Sequence, residues 1–311
     1  MFESIGLIAK RGDEQAVKDC LEILINFLQE HHRKILIDAK SANVLQPHAD
    51  LNIVTDIEAL GISCDLIIVI GGDGTLLQAA RLLAKHNVCL LGINLGRLGF
   101  LTDISPQDIE KYLGDILDGA YNSEDRFLIH AETYRSKKRL SHCSALNDIV
   151  IHRGNMSHML TFETMIDGHF VNRQCADGLI VATPTGSSAY ALSAGGPLIY
   201  PSLNVLVLVP ICPHTLSSRP LVINGDSHIQ ITIAYDRIER AQLKSDGILC
   251  QTLKPGDCIF IEKRHSIRLI HPKKHDHYAT LRAKLDWSKS MHSHCVALSK
   301  SEAQSPMVHQ E

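Results

Sequence analysis

Gly71-Gly72-Asp73-Gly74-Thr75 follows the apolar run Leu66-Ile67-Ile68-Val69-Ile70 and precedes Leu76-Leu77-Gln78-Ala79-Ala80-Arg81-Leu82-Leu83-Ala84, whose apolar residues recur at helical spacing. The stretch reads as a buried strand, a tight glycine turn and a helix start. Backbone N–H groups and the helix dipole at such a start favour a phosphate. Glycines at 71, 72 and 74 let the main chain approach a ligand closely. Asp73 is the odd member, because a carboxylate repels phosphate. It fits if a metal lies between them, or if it takes a proton from an attacking hydroxyl. A plain structural turn is the alternative, but that turn has no need of Asp73. The stretch therefore points to phosphoryl transfer to an alcohol.

Outward from the turn, Ser4 to Ala9, Lys34 to Asp38 and Val88 to Ile93 read as further strands, and Val17, Leu21, Leu24 and Leu28 mark one helix face. Strands and helices alternating in this way, with nearly all-apolar strands, predict an α/β domain with a parallel sheet flanked by helices. Ligands in such sheets sit at the carboxyl ends of the strands, where the glycine turn falls. Asn94 to Leu101 belongs at the same edge. Ser105-Pro106 opens a helix whose apolar face is Ile109, Leu113, Ile116 and Leu117. From Arg126 to His271 short β-type runs take over, with Asp167-Gly168 as a hairpin turn and Lys254 to Asp257 as a longer one. The expected organisation is an α/β domain over 1–125 and a β-rich domain over 126–277. A short helix is expected over 280–287, and a polar, aperiodic, disordered tail over 291–311.

The 311 residues, 45% hydrophobic and 21% charged, suit two globular domains. A formal net charge of -3 gives no general attraction to nucleic acid or anionic membrane. No apolar run is long enough for a membrane helix, and the start lacks a secretory pattern. Nine scattered cysteines, an odd number with no C-x-x-C, fit reduced thiols in a cytoplasm.

A second dense stretch runs from Asp177 to Tyr190 and on through Gly195-Gly196-Pro197. Its hydroxyls and bare backbone suit ribose or phosphate, and Tyr190 suits a base. A capped helix start with close glycine packing explains it equally well. Asn147-Asp148 offers an amide and a carboxylate that accept from a diol. Neighbours on a regular strand point to opposite faces, so spacing alone favours a polar strand end. His271, His275 and His277 lack a completing Cys or acid at metal-ligand spacing and read as a solvated turn. Arg219, in the loop between Pro213 and Pro220, reads equally as phosphate ligand or surface residue.

Taken together, GGDGTLL at 71–77, GINLGRLGFLTD at 92–103, ALND at 145–148, DGLIVATPTGSSAYALSAGGPLIYP at 177–201 and PHTLSSRPLVI at 213–223 resemble bacterial NAD kinases of the gamma-proteobacterial type. The resemblance covers nearly the whole chain to about Trp287. The first motif is shared with diacylglycerol kinase-like enzymes and 6-phosphofructokinases, and the stretch 177–201 is far more specific. The resemblance implies phosphorylation of the adenosine-ribose 2′-hydroxyl of NAD by ATP with a divalent metal, Mg²⁺, held mainly by the ATP phosphates and not by dedicated protein ligands. It implies that Asp73 is the proton acceptor and general base, with Gly74 against the NAD. Asn147, Asp148, His158, Asp177, Ser188, Ala189, Tyr190, Ala191, Leu192 and Ser193 would line the NAD site. Gly71, Gly72 and Thr75 would lie on the ATP side. It further implies that residues 278–290 pack back on the first domain, and that the chain forms a homodimer or homotetramer able to share the NAD site between subunits. Three positions depart from the family pattern: Asp148 where Glu is frequent, Cys175 where a basic residue is frequent, and Ile248 where Gln follows Asp-Gly. A lipid or sugar kinase sharing only the glycine turn, and an inactive nucleotide sensor, are the competing readings. Neither explains both Asp73 and residues 185–193.

Overall fold

The computed structural model describes residues 2–45, 52–54, 56–96, 98–154, 158–235 and 240–287. The expected tail over 291–311 lies outside them, as does Arg97 of the second motif.

The first half alternates as its pattern demands. In order come β1 (Ser4–Ala9), α1 (Glu14–Glu30), β2 (Lys34–Asp38), α2 (Ala39–Ala42), β3 (Asn52–Val54), α3 (Ile57–Ser63), β4 (Leu66–Gly71), α4 (Asp73–Leu83), β5 (Cys89–Asn94) and α5 (Ile109–Leu117). Strands β5-β4-β1-β2-β3 are neighbours in that order and pair in parallel. Every residue of β4 is buried. Ile68 and Ile70 pack into the core that holds Leu21, Leu24 and Leu28 of α1, whereas Ile67 and Val69 meet Leu76, Ala79 and Leu83 of α4. A sheet covered on both faces thus explains the unbroken apolar run. Helix α1 has no side-chain cap bond from Asp13. Its buried aliphatic side chains, each contributing ~1.5–3 kcal/mol, outweigh a missing cap of ~1 kcal/mol. Before α5, the Ser105 hydroxyl bonds the Asp108 carboxylate at 2.7 Å and caps no backbone N–H.

The second half supplies β6 (Tyr121–Arg135), β7 (Lys138–Ala145), β8 (Asp148–His152), β9 (Leu160–Ile166), β10 (His169–Ala176), β11 (Gly178–Ala182), α6 (Tyr190–Ser193), β12 (Val205–Ile211), β13 (Leu221–Asn224), β14 (Ile229–Ile233), β15 (Ala241–Ser245), β16 (Ile248–Leu253), β17 (Cys258–Pro272) and α7 (His277–Leu285). A six-stranded sheet, β13-β12-β11-β8-β15-β16, faces strands β9, β14, β17 and β6 across a core of Ile149, Ile151, Phe162, Val181, Ile231, Leu243 and Ile259. Asp167 and Gly168, both at positive φ, form the tight turn between β9 and β10.

The two halves share one eleven-stranded sheet. Strand β6 runs straight through the expected boundary at 125/126, and β17 runs beside it in antiparallel register. Near its end β17 also pairs in parallel with β5, through Arg268, Leu269 and Ile270. The change of partner coincides with a register shift between Lys263 and Ser266. A strand crossing between domains carries no linker composition, so the crossing leaves no mark in sequence. Helix α7 begins at His277, three residues before the expected helix, because Asp276 caps it by accepting from Tyr278 N.

Candidate active site

Asp73 opens α4 one residue after its N-cap, Gly72. Its Oδ2 accepts from Phe100 N at 2.8 Å, and its Oδ1 from Leu101 N at 3.1 Å and Thr102 Oγ1 at 3.3 Å. The loop after β5 is therefore folded over the carboxylate. A Cβ on Gly99 would overlap Asp73 Oδ1, so this approach requires glycine. The turn's three glycines differ in purpose. A Cβ on Gly71 would strike Thr75 and Lys10, whereas Gly72 and Gly74 face open space, leaving bare backbone for a ligand.

Asn147 immediately precedes β8 and Asp148 is its first residue. This is a strand end, so alternation does not separate them, and both line one cavity of ≈ 490 Å³ with Ala189, Tyr190 and Asp246. Leu77 of α4 completes its first-domain wall. The turn is held by Asp246, whose carboxylate accepts from the backbone N–H of Leu146, Asn147 and Asp148 at 3.1, 2.9 and 3.2 Å. Arg81 of α4 lies 3.8 Å from the same carboxylate and donates to Ser245 O at 3.1 Å. Asp246 and Gly247, both at positive φ, form the tight turn between β15 and β16. Sequence reading noted this Asp-Gly pair only for the residue after it and missed the anchor. The Asn147 Oδ1 is buried without a hydrogen-bond partner.

Burial, and then the charge of Asp246, push the Asp148 carboxyl up to about 7. Its ordinary value is 3.8, so the fold favours the proton. This contribution is complete below the ordinary value and is lost as pH rises through about 7. Between those limits stability falls by up to ~1.4 kcal/mol per pH unit. Asp148→Asn abolishes that slope. The stability gap between variant and wild type is expected to widen from about pH 4 to 7 and stay level above, as read by urea unfolding across that range. A gap constant with pH would show that Asp148 ionises in the fold without cost.

The Thr183 to Ser193 segment locks onto this turn. Thr183 N donates to Asn147 O at 2.9 Å, Thr183 Oγ1 to Leu146 O at 2.5 Å, and a Cβ on Gly186 would overlap Asn147 O. Its residues then diverge. Ala189 and Tyr190 line the cavity, and Ser188 lines a neighbouring cavity of ≈ 230 Å³ with Phe100, Arg126 and α7. Ala191 is fully buried in the small core with Ile180 and Val209, Leu192 is half-buried and Ser193 is exposed. Ala191 therefore packs its helix, and of residues 188–193 it is Ala189 and Tyr190 that line this cavity. Asp177 is held by Arg153 Nε at 2.6 Å, next to cavity-lining His152. His158 is exposed just before β9, and neither it nor Asp177 lines the cavity. Arg219 spends its NH1 on Leu216 O and Ser218 O.

On the other side of the glycine turn, Gly74 and Thr75 border a cavity of ≈ 690 Å³ with Lys10, Arg11, Lys40 and Asp38. Three cations beside a helix N-terminus suit a polyphosphate. Sequence reading missed them because they follow β1 and β2, far from the turn in the chain.

The histidines correct a further expectation. His271 is buried in β17, and His275, in the turn before α7, has its side chain only 10% exposed, so neither is solvated. Both direct Nδ1 to Asp103 Oδ2, His275 at 3.1 Å. Burial alone would push the Asp103 carboxyl up, but the two imidazoles outweigh it and hold it below the usual range. Asp103 comes from the loop over Asp73, so no local spacing announced it.

Comparison with known proteins agrees with this architecture. Residues 5–121 match the family model for the ATP-NAD kinase N-terminal domain, and residues 146–271 that for the C-terminal domain. An NAD kinase from Chromohalobacter salexigens is 46% identical over 291 residues, 93% of this chain and 98% of its own. One from Pseudomonas entomophila is 47% identical over 291 residues, 93% and 97% of the two chains. Among solved structures, yeast NADH kinase complexed with NADH superposes with a TM-score of 0.84 at 26% identity, covering 93% of this chain and 89% of its own. An Archaeoglobus fulgidus NAD kinase in complex with ATP gives 0.68 at 25%, covering 90% and 99%. The glycine turn with its carboxylate, the anchored Asn147-Asp148 corner and both matched domains place this chain in the ATP-NAD kinase family.

Proposed function

We propose that Asp73 is the general base that takes the proton of the adenosine-ribose 2′-hydroxyl of NAD as ATP phosphorylates it to NADP. The ATP-dependent conversion of NAD to NADP is the activity of the family to which the chain belongs. The observation that carries the assignment is the place of Asp73 at the start of α4, a helix that reaches two cavities. Its Leu77 lines the one with the Asn147-Asp148 corner, and its Gly74 and Thr75 border the other, with cations. A carboxylate oxygen has two lone pairs. Oδ1 accepts two hydrogen bonds and Oδ2 one, so Oδ2 keeps a lone pair for the hydroxyl.

Asn147 and Asp148 bind the ribose, Tyr190 stacks against the nucleoside, and Gly74 lies along it. Gly71, Gly72 and Thr75 hold the ATP side, where Lys10, Arg11 and Lys40 meet the phosphates. Mg²⁺ arrives on ATP. The chemistry of the ATP cavity fits that, since Glu14 and Asp38 are the carboxylates lining it and Thr75 adds a hydroxyl, while Mg²⁺ takes one or two carboxylates and completes its shell with phosphates and water. Bound there, it neutralises charge on the transferring group. The protein aligns the two substrates, which is most of what this reaction needs. His158 is exposed, which suits a homo-oligomer in which a neighbouring subunit meets the NAD. Exposed Leu216, Leu221 and Val222 give such an assembly an apolar surface. The eight described cysteines are free thiols, in keeping with a reducing cytoplasm.

The test is an NADP-formation assay with NAD and NADH, crossed against ATP and polyphosphate, with and without Mg²⁺. NADP is expected from NAD and ATP only with the metal. Phosphorylation of diacylglycerol or a sugar, with NAD left untouched, would overturn the reading.

A further inference from the structure

We propose that Asp103, His271 and His275 form a transition-metal site of the zinc class, separate from the metal that travels with ATP, which ties the C-terminal end of the fold to the loop over Asp73. The three residues come from three places: the loop after β5, the end of β17, and the turn before α7. Each offers one ligand atom, and these atoms lie within 4.8 Å of one another. It is the group of this kind found among the described residues. Two imidazole nitrogens and one carboxylate oxygen suit zinc and its neighbours in the first transition series. Magnesium and calcium prefer oxygen throughout.

The hydrogen bonding is incomplete in the way a missing cation would leave it. Both rings aim Nδ1 at one oxygen, Asp103 Oδ2, while Asp103 Oδ1 is buried with no partner. His271, with its side chain only 2% exposed, has Nε2 buried and unpartnered as well. An ion among the three groups answers both vacancies. It takes a carboxylate oxygen and both Nδ1 lone pairs, so each neutral ring carries its proton on Nε2. The His271 Nε2–H then faces Glu124 Oε2, now 3.9 Å away. A carboxylate behind a metal-bound imidazole fixes the tautomer and strengthens the ligand. For His275 the required adjustment is small: its Nδ1 and Asp103 Oδ2 are 3.1 Å apart, against about 3.3 Å between ligands of a tetrahedral ion with bonds of about 2.0–2.1 Å. His271 Nδ1 sits closer to the same oxygen than an ordinary hydrogen bond and must draw back further to admit the ion. His275 and Glu124 also border an open groove with Asn122 and Tyr200, from which water can supply the fourth ligand.

The experiment uses the full chain, stripped with chelator and re-exposed to Zn²⁺ or Co²⁺ in excess Mg²⁺, without nucleotide. Wild type is expected to retain about one Zn²⁺ per chain, to melt at a higher temperature with it, and to give visible Co²⁺ bands of low-coordinate nitrogen and oxygen ligation. His275→Gln and Asp103→Asn are each expected to weaken binding at least ~10-fold and to lose the bands. Circular dichroism checks that the variants fold. If Asp103→Asn does not, His275→Gln, in a turn at the surface of the cluster, decides alone. Folded wild type that retains no stoichiometric Zn²⁺, or variants with unchanged stoichiometry and spectrum, would overturn the proposal. None of these readouts depends on phosphoryl transfer, so the proposal stands or falls apart from the assignment of Asp73.

Discussion

Asp73→Asn is expected to lower kcat for NADP formation by about 10³-fold, within the ~10²–10⁴ range for loss of a general base, while NAD affinity changes only a few-fold. Two effects combine. The amide cannot take the hydroxyl proton. It also puts an N–H₂ donor in place of one carboxylate oxygen, against either Phe100 N–H or Leu101 N–H, which now donate to Oδ2 and Oδ1 at 2.8 and 3.1 Å. The Asn147-Asp148 corner does not contact Asp73 through any of its hydrogen bonds, so NAD retains its main anchors. Steady-state rates with saturating MgATP, together with calorimetric NAD titration, separate the two quantities. Near-normal kcat would remove Asp73 from proton transfer. A large loss of NAD affinity with kcat preserved would leave it only as the residue that folds the loop.

Asp246→Ala should be the most costly single change for stability among the site residues, by about 3–5 kcal/mol, the usual cost of removing one partner of a buried charged pair. The Asp246 side chain is 1% exposed, and Arg81 beside it 16%. Truncation strands the Leu146, Asn147 and Asp148 N–H groups together with the guanidinium. Burial raises the Asp246 carboxyl despite those three donors, which discounts its net contribution in wild type. The loss on truncation is still large, because what remains is unpaired. The apparent KM for NAD should rise at least ~10-fold, since an ångström of displacement at a positioned group costs about that or more. Denaturant unfolding and KM measured on the same preparation check both parts. A variant of wild-type stability would mean that water replaces the carboxylate.

These two residues show where reading along the chain succeeds and where it stops. The place of Asp73 at the start of α4 was legible because everything that defines it is local: an apolar strand before, a helical period after, glycines between. The parallel sheet was legible for the same reason, since strands buried on both faces must be apolar throughout. Asn147-Asp148 was ambiguous on spacing, because only the end of β8 decides whether neighbours share a face. Asp246 entered the sequence reading only as the residue before Gly247-Ile248, and nothing nearby says that its carboxylate points at a strand end 98 to 100 residues earlier. That β6 and β17 run from one half into the other was not legible, because crossing strands need no glycine, proline or polar run.

The sequence by itself determined the elements, the glycine turn and the family, because propensity, glycine geometry and hydrophobic period act over a few residues. Tertiary structure decided which groups meet. It closed the loop at Phe100 over Asp73, brought Lys10 and Lys40 beside Thr75, and set Asp103 against His271 across 168 residues. Such meetings follow from how strands order in a sheet and how loops close at its edge. Those are set by burial summed over the whole chain, which no short window of sequence contains.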